Sequence, residues 1–137
     1  MTGSLSTSTT LTAAVVLLTV VLIAYGGTFV LKVTRGKAPA NELQRSFYRA
    51  GHAHAGVLVI LGLLVNLYVD LAGVGGLWRT LSGGVLWAAI LMPAGFFLSV
   101  AGSDPQRPNR LIALLWLGAA SLVLGLVCAA IGLLTAG

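Results

Sequence analysis

The sequence predicts an all-α, polytopic membrane protein: four antiparallel transmembrane helices in one bundle, a single domain over 1–137. Three observations carry this. Hydrophobic residues make up 58% of the chain and charged residues 8%, with a mean hydropathy of +1.00; a soluble domain carries about a quarter charged residues, because its surface faces water. Four apolar runs, at about 11–33, 50–69, 81–101 and 111–135, each supply the roughly 20 residues that a helix needs to cross a hydrocarbon core about 30 Å thick. Seven of the eight basic residues fall in two short stretches between these runs.

The first run is rich in Val, Leu and Ala and ends at Lys32–Arg35. Its leading residues, MTGSLSTSTT, contain no Lys or Arg, and the apolar stretch is too long for a signal-peptide core, so it reads as a retained helix. The second helix is expected over 42–70. Asn41 stands at a capping position, Gln44 at the reciprocal capping-box position, and Pro39 just upstream. Phe47 and Tyr48 suit an aromatic interface. The plain reading of this stretch is a cytoplasmic turn anchoring a transmembrane helix; a docking surface is the alternative. Arg79 lies in the expected second loop, before a third helix that contains Pro93. Proline there frees the carbonyl of Ala89 and bends the helix, or lines a binding site as helix breaks do in transporters. The fourth run follows Arg110 and continues almost to the end without a charge.

Short connections make neighbouring helices antiparallel. The first loop region holds Lys32, Arg35, Lys37, Arg45 and Arg49, the third holds Arg107 and Arg110, and the second holds Arg79 alone. The positive-inside rule therefore puts loops 34–48 and 102–110 in the cytoplasm of a cell-membrane protein and both termini outside. The net charge of +5 is thus a topology signal, and a nucleic-acid partner is not expected. The partners expected are the lipid bilayer and a homo-oligomer or membrane complex.

Chemistry-bearing residues are few. His52 and His54 lie in the first turns of the second span, where ionisable groups are costly and so are functional candidates. Two residues apart on a helix is about 200° of rotation, so the rings point to opposite sides and do not grip one metal easily. Imidazole is a common haem ligand, but no other span carries a histidine. Met92 lies about 13 Å below its helix end while His54 lies about 6 Å below its own. No metal or cofactor is expected. The plain reading is that a histidine hydrogen-bonds Ser99, Thr28 or a backbone carbonyl; the alternative is a proton-responsive or substrate-contacting role. His52 shares its face with Gly56 and Asn66 and is expected to face protein; His54 shares its face with Leu58, Leu61 and Val65, which lipid or another apolar helix would cover. A polar layer is expected from Tyr25, Thr28, the two histidines and Ser99, with Trp116 at similar depth. Asn66 reads as interhelical glue or as a ligand.

The fourth run carries a seam of small residues, Gly118, Ser121, Gly125, Cys128 and Gly132, at alternating steps of three and four. Such a seam admits a second helix closely, either within the monomer or across an oligomer interface. Gly51, Ala55 and Gly62 on the second run form a shorter small face that would suit it. The stretches RAGHAHAGVL (Arg49–Leu58) and YGGTFVL (Tyr25–Leu31) resemble small uncharacterised four-helix membrane proteins of actinobacteria. That resemblance implies the four-helix fold and no activity, cofactor or catalytic residue. The function expected is non-enzymatic, an oligomeric or accessory component of a membrane complex. The alternatives are a small transporter or channel subunit with a proton-sensitive histidine region, and a haem- or metal-binding redox protein.

Overall fold

A computed structural model describes residues 4–136; residues 1–3 and 137, the extreme termini expected outside the cell, lie outside the described residues. The helices are α1 (Thr7–Thr34), α2 (Glu42–Leu71), α3 (Gly76–Ser82), α4 (Gly84–Ser99) and α5 (Ala113–Thr135), with a 3₁₀ turn at Arg110–Ile112. α3 and α4 together form the third membrane-length span, Gly76–Ser99, and four such spans are present among the described residues.

Local chemistry sets most of the boundaries. α1 starts about four residues earlier than its apolar run, because the Ser6 side chain caps it by accepting from the Thr9 N–H. α1 and α2 end alike. Gly36 and Gly73 take φ of +68° and +67°, the left-handed conformation that glycine adopts without a Cβ penalty. Beyond them Lys37 donates to the Lys32 carbonyl (2.8 Å) and Val74 to the Val69 carbonyl (3.0 Å), closing the last turn of each helix. Val69 and Val74 then pack together with Ala129, so the second of these caps also builds core. At the start of α2 the expected capping box is present, with Asn41 and Gln44 each bonding the other's backbone.

The third span departs from its expected limits of 81–101. It begins at Gly76, which draws Arg79 out of the expected loop and into helix, and it is broken at Gly83. Arg79 forms an ion pair with Asp70, and this contact across the turn favours helical structure there. α4 runs through Pro93 without a break.

α4 sits between α2 and α5, and α3 lies against α5; α1 packs along α2, and its first turn also meets α3 through the hydrogen bond from Arg79 to Thr9. The main core is Leu58, Val59, Ala88, Ala89 and Met92. Among the described residues valine is the largest side chain to be completely buried, which fits close helix approach through small residues in a membrane. The first span is different: 6% of its apolar stretch is buried, against 28% in the second and third spans. Apart from the α2 contact and the hydrogen bond that Thr9 accepts from Arg79, it presents most of its side chains to the surroundings.

Candidate functional site

Two polar clusters close the ends of the bundle. At the end holding the two basic loops, Asn41 donates from Nδ2 to the Asp104 carboxylate (2.9 Å) and the Pro105 carbonyl (2.7 Å). Gln44, itself buried, donates from Nε2 to the carbonyls of Val100 (3.0 Å) and Gly102 (2.9 Å). The two residues that cap α2 therefore also tie the first basic loop to the third. Asn109 completes this end by donating from its backbone N–H to the Ser99 carbonyl (2.7 Å) and from its side chain to that of Leu98 (3.0 Å).

At the opposite end the Asp70 carboxylate accepts from the Ser6 N–H (2.8 Å) and hydroxyl (2.7 Å) and pairs with Arg79 at 2.7 Å. Arg79 also donates to the hydroxyls of Ser6 (3.2 Å) and Thr9 (2.8 Å). This clamp joins the start of α1 to the end of α2 and to α3. Sequence reasoning assigned it no role. Its signal was present: Asp70 and Arg79 are opposite charges nine residues apart across a glycine-rich turn, in an end of the molecule that is otherwise free of charged side chains. Beside the clamp lies a cleft of about 250 Å³ lined by Ser8, Thr12, Asn66, Arg79, Thr80 and Ser82 among others.

The histidines diverge as their spacing requires. His54 donates from Nδ1 to the Ala50 carbonyl at 2.8 Å, and its ring lies 4.9 Å from that of Phe96. This is the backbone-bonded histidine of the plain reading, and it faces a neighbouring helix. His52 turns the other way, toward α1: a methyl group placed on Gly27 would lie 3.1 Å from its Nε2. Among the described residues no hydrogen bond reaches the His52 ring. It lines a cavity of about 300 Å³ with Leu22, Ile23, Gly26, Phe29, Ala55 and Phe97. Ile23 and Ala55 also line the adjoining cleft of about 360 Å³, which runs between α1, α2 and α4 past Val16, Thr19, Leu86 and Pro93.

The expected polar layer does not assemble. Tyr25 is 76% exposed on the outer side of α1, and Thr28 donates to the Tyr25 carbonyl on its own helix (2.7 Å). Ser99 is buried against its own helix, within 3.5 Å of the Phe96 carbonyl, and Trp116 is exposed. Asn66 lines the cleft at the far end from the histidines. The physical reason is rotation: equal depth puts residues in one layer, but α1 meets α2 through Ile23, Gly27 and their neighbours and turns Tyr25 and Thr28 away. Phe47 and Tyr48, expected at an aromatic interface, are half-buried in an interhelical cluster with Phe96, Phe29 and Phe97.

The small-residue seam is used within the monomer, against the third span. Ser121 donates to the Gly84 carbonyl at 2.8 Å; Gly118 faces Met92, Gly125 faces Gly84 and Val85, and Gly132 faces Val74 and Trp78. Cys128 is a buried free thiol on the same line. The small face of α2 does not partner this seam as expected. Gly51 meets Phe96 and Phe97, and Gly62 meets Leu86, so it too packs on the third span.

Among the described residues no three His, Cys, Asp or Glu side chains gather as a metal site would need. Fold and polar ends together define a multi-pass α-helical membrane protein whose apolar helix faces suit contact with a lipid bilayer. Compared with protein-family models, curated proteins and solved structures, the chain gives no match.

Proposed function

We propose that the chain is a non-enzymatic accessory component of a membrane complex, set in the cell membrane with both termini outside and its two basic loops in the cytoplasm. The observation that carries this reading is the first span. Its helix packing is against α2, with one hydrogen bond from Arg79 of α3 at its first turn, and the face turned away from α2 shows Leu11, Ala14, Leu18, Val21, Tyr25 and Thr28, all exposed, at alternating steps of three and four. That period presents one continuous stripe to a straight neighbouring helix. In lipid, where apolar surface gives no driving force of its own, close packing along such a stripe is what joins helices. The partner is a transmembrane helix of another protein or of a second copy.

A photoreactive amino acid at Leu18, on the outer stripe, and at Val16, on the α2 side, tests this in the native membrane. We expect Leu18 to give a discrete protein adduct that co-purifies in fixed stoichiometry, and Val16 to give intramolecular products. Lipid adducts alone from Leu18 would remove the partner. A second reading, a small transporter or channel subunit, is favoured by the cavities that follow one another along α1; solute flux in proteoliposomes decides it.

A further inference from the structure

We propose that the outward face of α2, at the basic end of the bundle, holds one anionic phospholipid, its phosphodiester gripped by Arg45 and Arg49 and an acyl chain lying along Ala53, Val57 and Ile60. This face is opposite the side of α2 that packs on its neighbours, so the site is separate from the partner stripe of α1.

Charge is polarised along the bundle. Seven of the eight cations and two of the three acids, Glu42 and Asp104, lie at one end, which therefore carries the whole net charge of +5. At the other end Asp70 and Arg79 cancel. A cluster of roughly four to eight basic side chains beside a transmembrane helix attracts anionic headgroups.

Within that cluster geometry sets two arginines apart. Arg45 and Arg49 are one helical turn apart on one side of α2, so both guanidinium groups reach the oxygens of a single phosphate, which arginine matches with parallel donors. Both are exposed, and neither forms an ion pair among the described residues. With Glu42, Ser46, Ala50 and Ala53 they line an open groove of about 870 Å³. Two cations and one acid leave this groove with a single positive charge, which a monoanionic phosphodiester neutralises. Ser46 adds a hydroxyl donor, and the short side chains of Ala50 and Ala53 leave space beneath the arginines.

Further along, the same face turns apolar. Ala53, Val57, Ile60 and Leu64 follow at steps of four, three and four, and all are exposed. They span about 16 Å, the depth of one leaflet of a hydrocarbon core about 30 Å thick. The packed side of the helix, with Gly51, Ala55 and Leu58 buried, is rotated about half a turn away. Cation pair, small residues and apolar stripe thus follow one another as phosphate, glycerol ester and acyl chain do in a phospholipid. A soluble anion or an acidic peptide satisfies the arginines but leaves the stripe uncovered. A zwitterionic lipid brings an ammonium group into an end of net charge +5.

The test uses the full chain in phosphatidylcholine nanodiscs doped with rising fractions of phosphatidylglycerol. Binding is read by NMR from the arginine side chains and the Ala53 amide. We expect the Arg45, Arg49 and Ala53 signals to shift to a plateau, and those of Arg107 and Arg110 to drift without one. Arg45→Gln combined with Arg49→Gln should weaken binding about 25-fold, about fivefold for each cation lost near an anionic surface. Arg107→Gln combined with Arg110→Gln removes the same charge from the same end and should cost no more than about threefold, because exposed charges are screened beyond about 8–10 Å. Ala53→Trp, which fills the groove and leaves every charge in place, should weaken binding as well. Equal losses in the two double variants, or a shift that never saturates, would leave only diffuse attraction and overturn the assignment. So would an equal response to phosphatidylethanolamine, saturation of the same signals by soluble glycerol phosphate, or a discrete protein adduct from a photoreactive residue at Ala53 in the native membrane.

Discussion

Adding one methyl group at Gly125 probes a close backbone approach in the α4–α5 contact with the least change. A Cβ there would lie 2.7 Å from the Val85 backbone nitrogen, 2.9 Å from its Cγ2 and 3.0 Å from the Gly84 carbonyl carbon. Two of these neighbours are backbone, so α4 as a whole must move to make room. Overpacking of this kind costs about 1–3 kcal/mol. The same substitution gains about 1 kcal/mol in helix propensity, so Gly125→Ala should destabilise by up to about 2 kcal/mol net. The control is Gly26→Ala, where the added carbon meets nothing within 4 Å. It receives the same propensity gain without strain and should be neutral or slightly stabilising. Thermal unfolding of both variants in one detergent measures the difference, and Gly125→Leu against Leu124→Ala extends it, because Leu124 is 51% exposed. Oligomer size should not respond, since Gly125 faces the third span of its own chain. Equal stability of Gly125→Ala and Gly26→Ala would refute the packing argument. A Gly125→Leu variant that changes oligomer size while the monomer keeps its stability would move the seam to an interface between copies.

Three further outcomes follow from the polar ends. A cysteine replacing Lys37 should resist a membrane-impermeant label applied to intact cells, and one replacing Ser8 should react; the reverse pattern would invert the topology. Asp70→Asn removes the charge that Arg79 and Ser6 share, so amide exchange in the first turns of α1 should rise while α4 and α5 stay protected. Uniform protection would mean that the α1–α2 contact alone holds the first span. Gln44→Leu leaves the Val100 and Gly102 carbonyls without their donor, at a cost of about 1–3 kcal/mol. Unchanged stability in chemical denaturation would show that this end of the bundle is held by other contacts.

The amount of structure legible in the residues differs by element. Helix α2 was readable at both ends: Asn41 and Gln44 announce its cap, and Asp70 its exit. The role of Arg79 was missed because counting apolar residues places a lone arginine in a loop; the signal for a helical arginine was the opposite charge of Asp70 nine residues earlier. Both histidines were correctly separated by the 100° step of the helix. Their neighbours were not, since nothing in the spacing of α2 says where Gly27 or Phe96 will fall.

The four spans, their antiparallel order, the cap at Asn41 and the existence of a small-residue seam were determined by the sequence alone, through length, hydropathy and local hydrogen bonding. The fold decided that the seam receives the third span, that His52 faces α1 and that the first span is held on one side only. The reason lies in the solvent. In water an apolar stripe marks the buried face of a helix; in a bilayer the lipid tails are as apolar as the interior, so Leu18 facing outward and Val16 facing α2 look alike until the helices are packed.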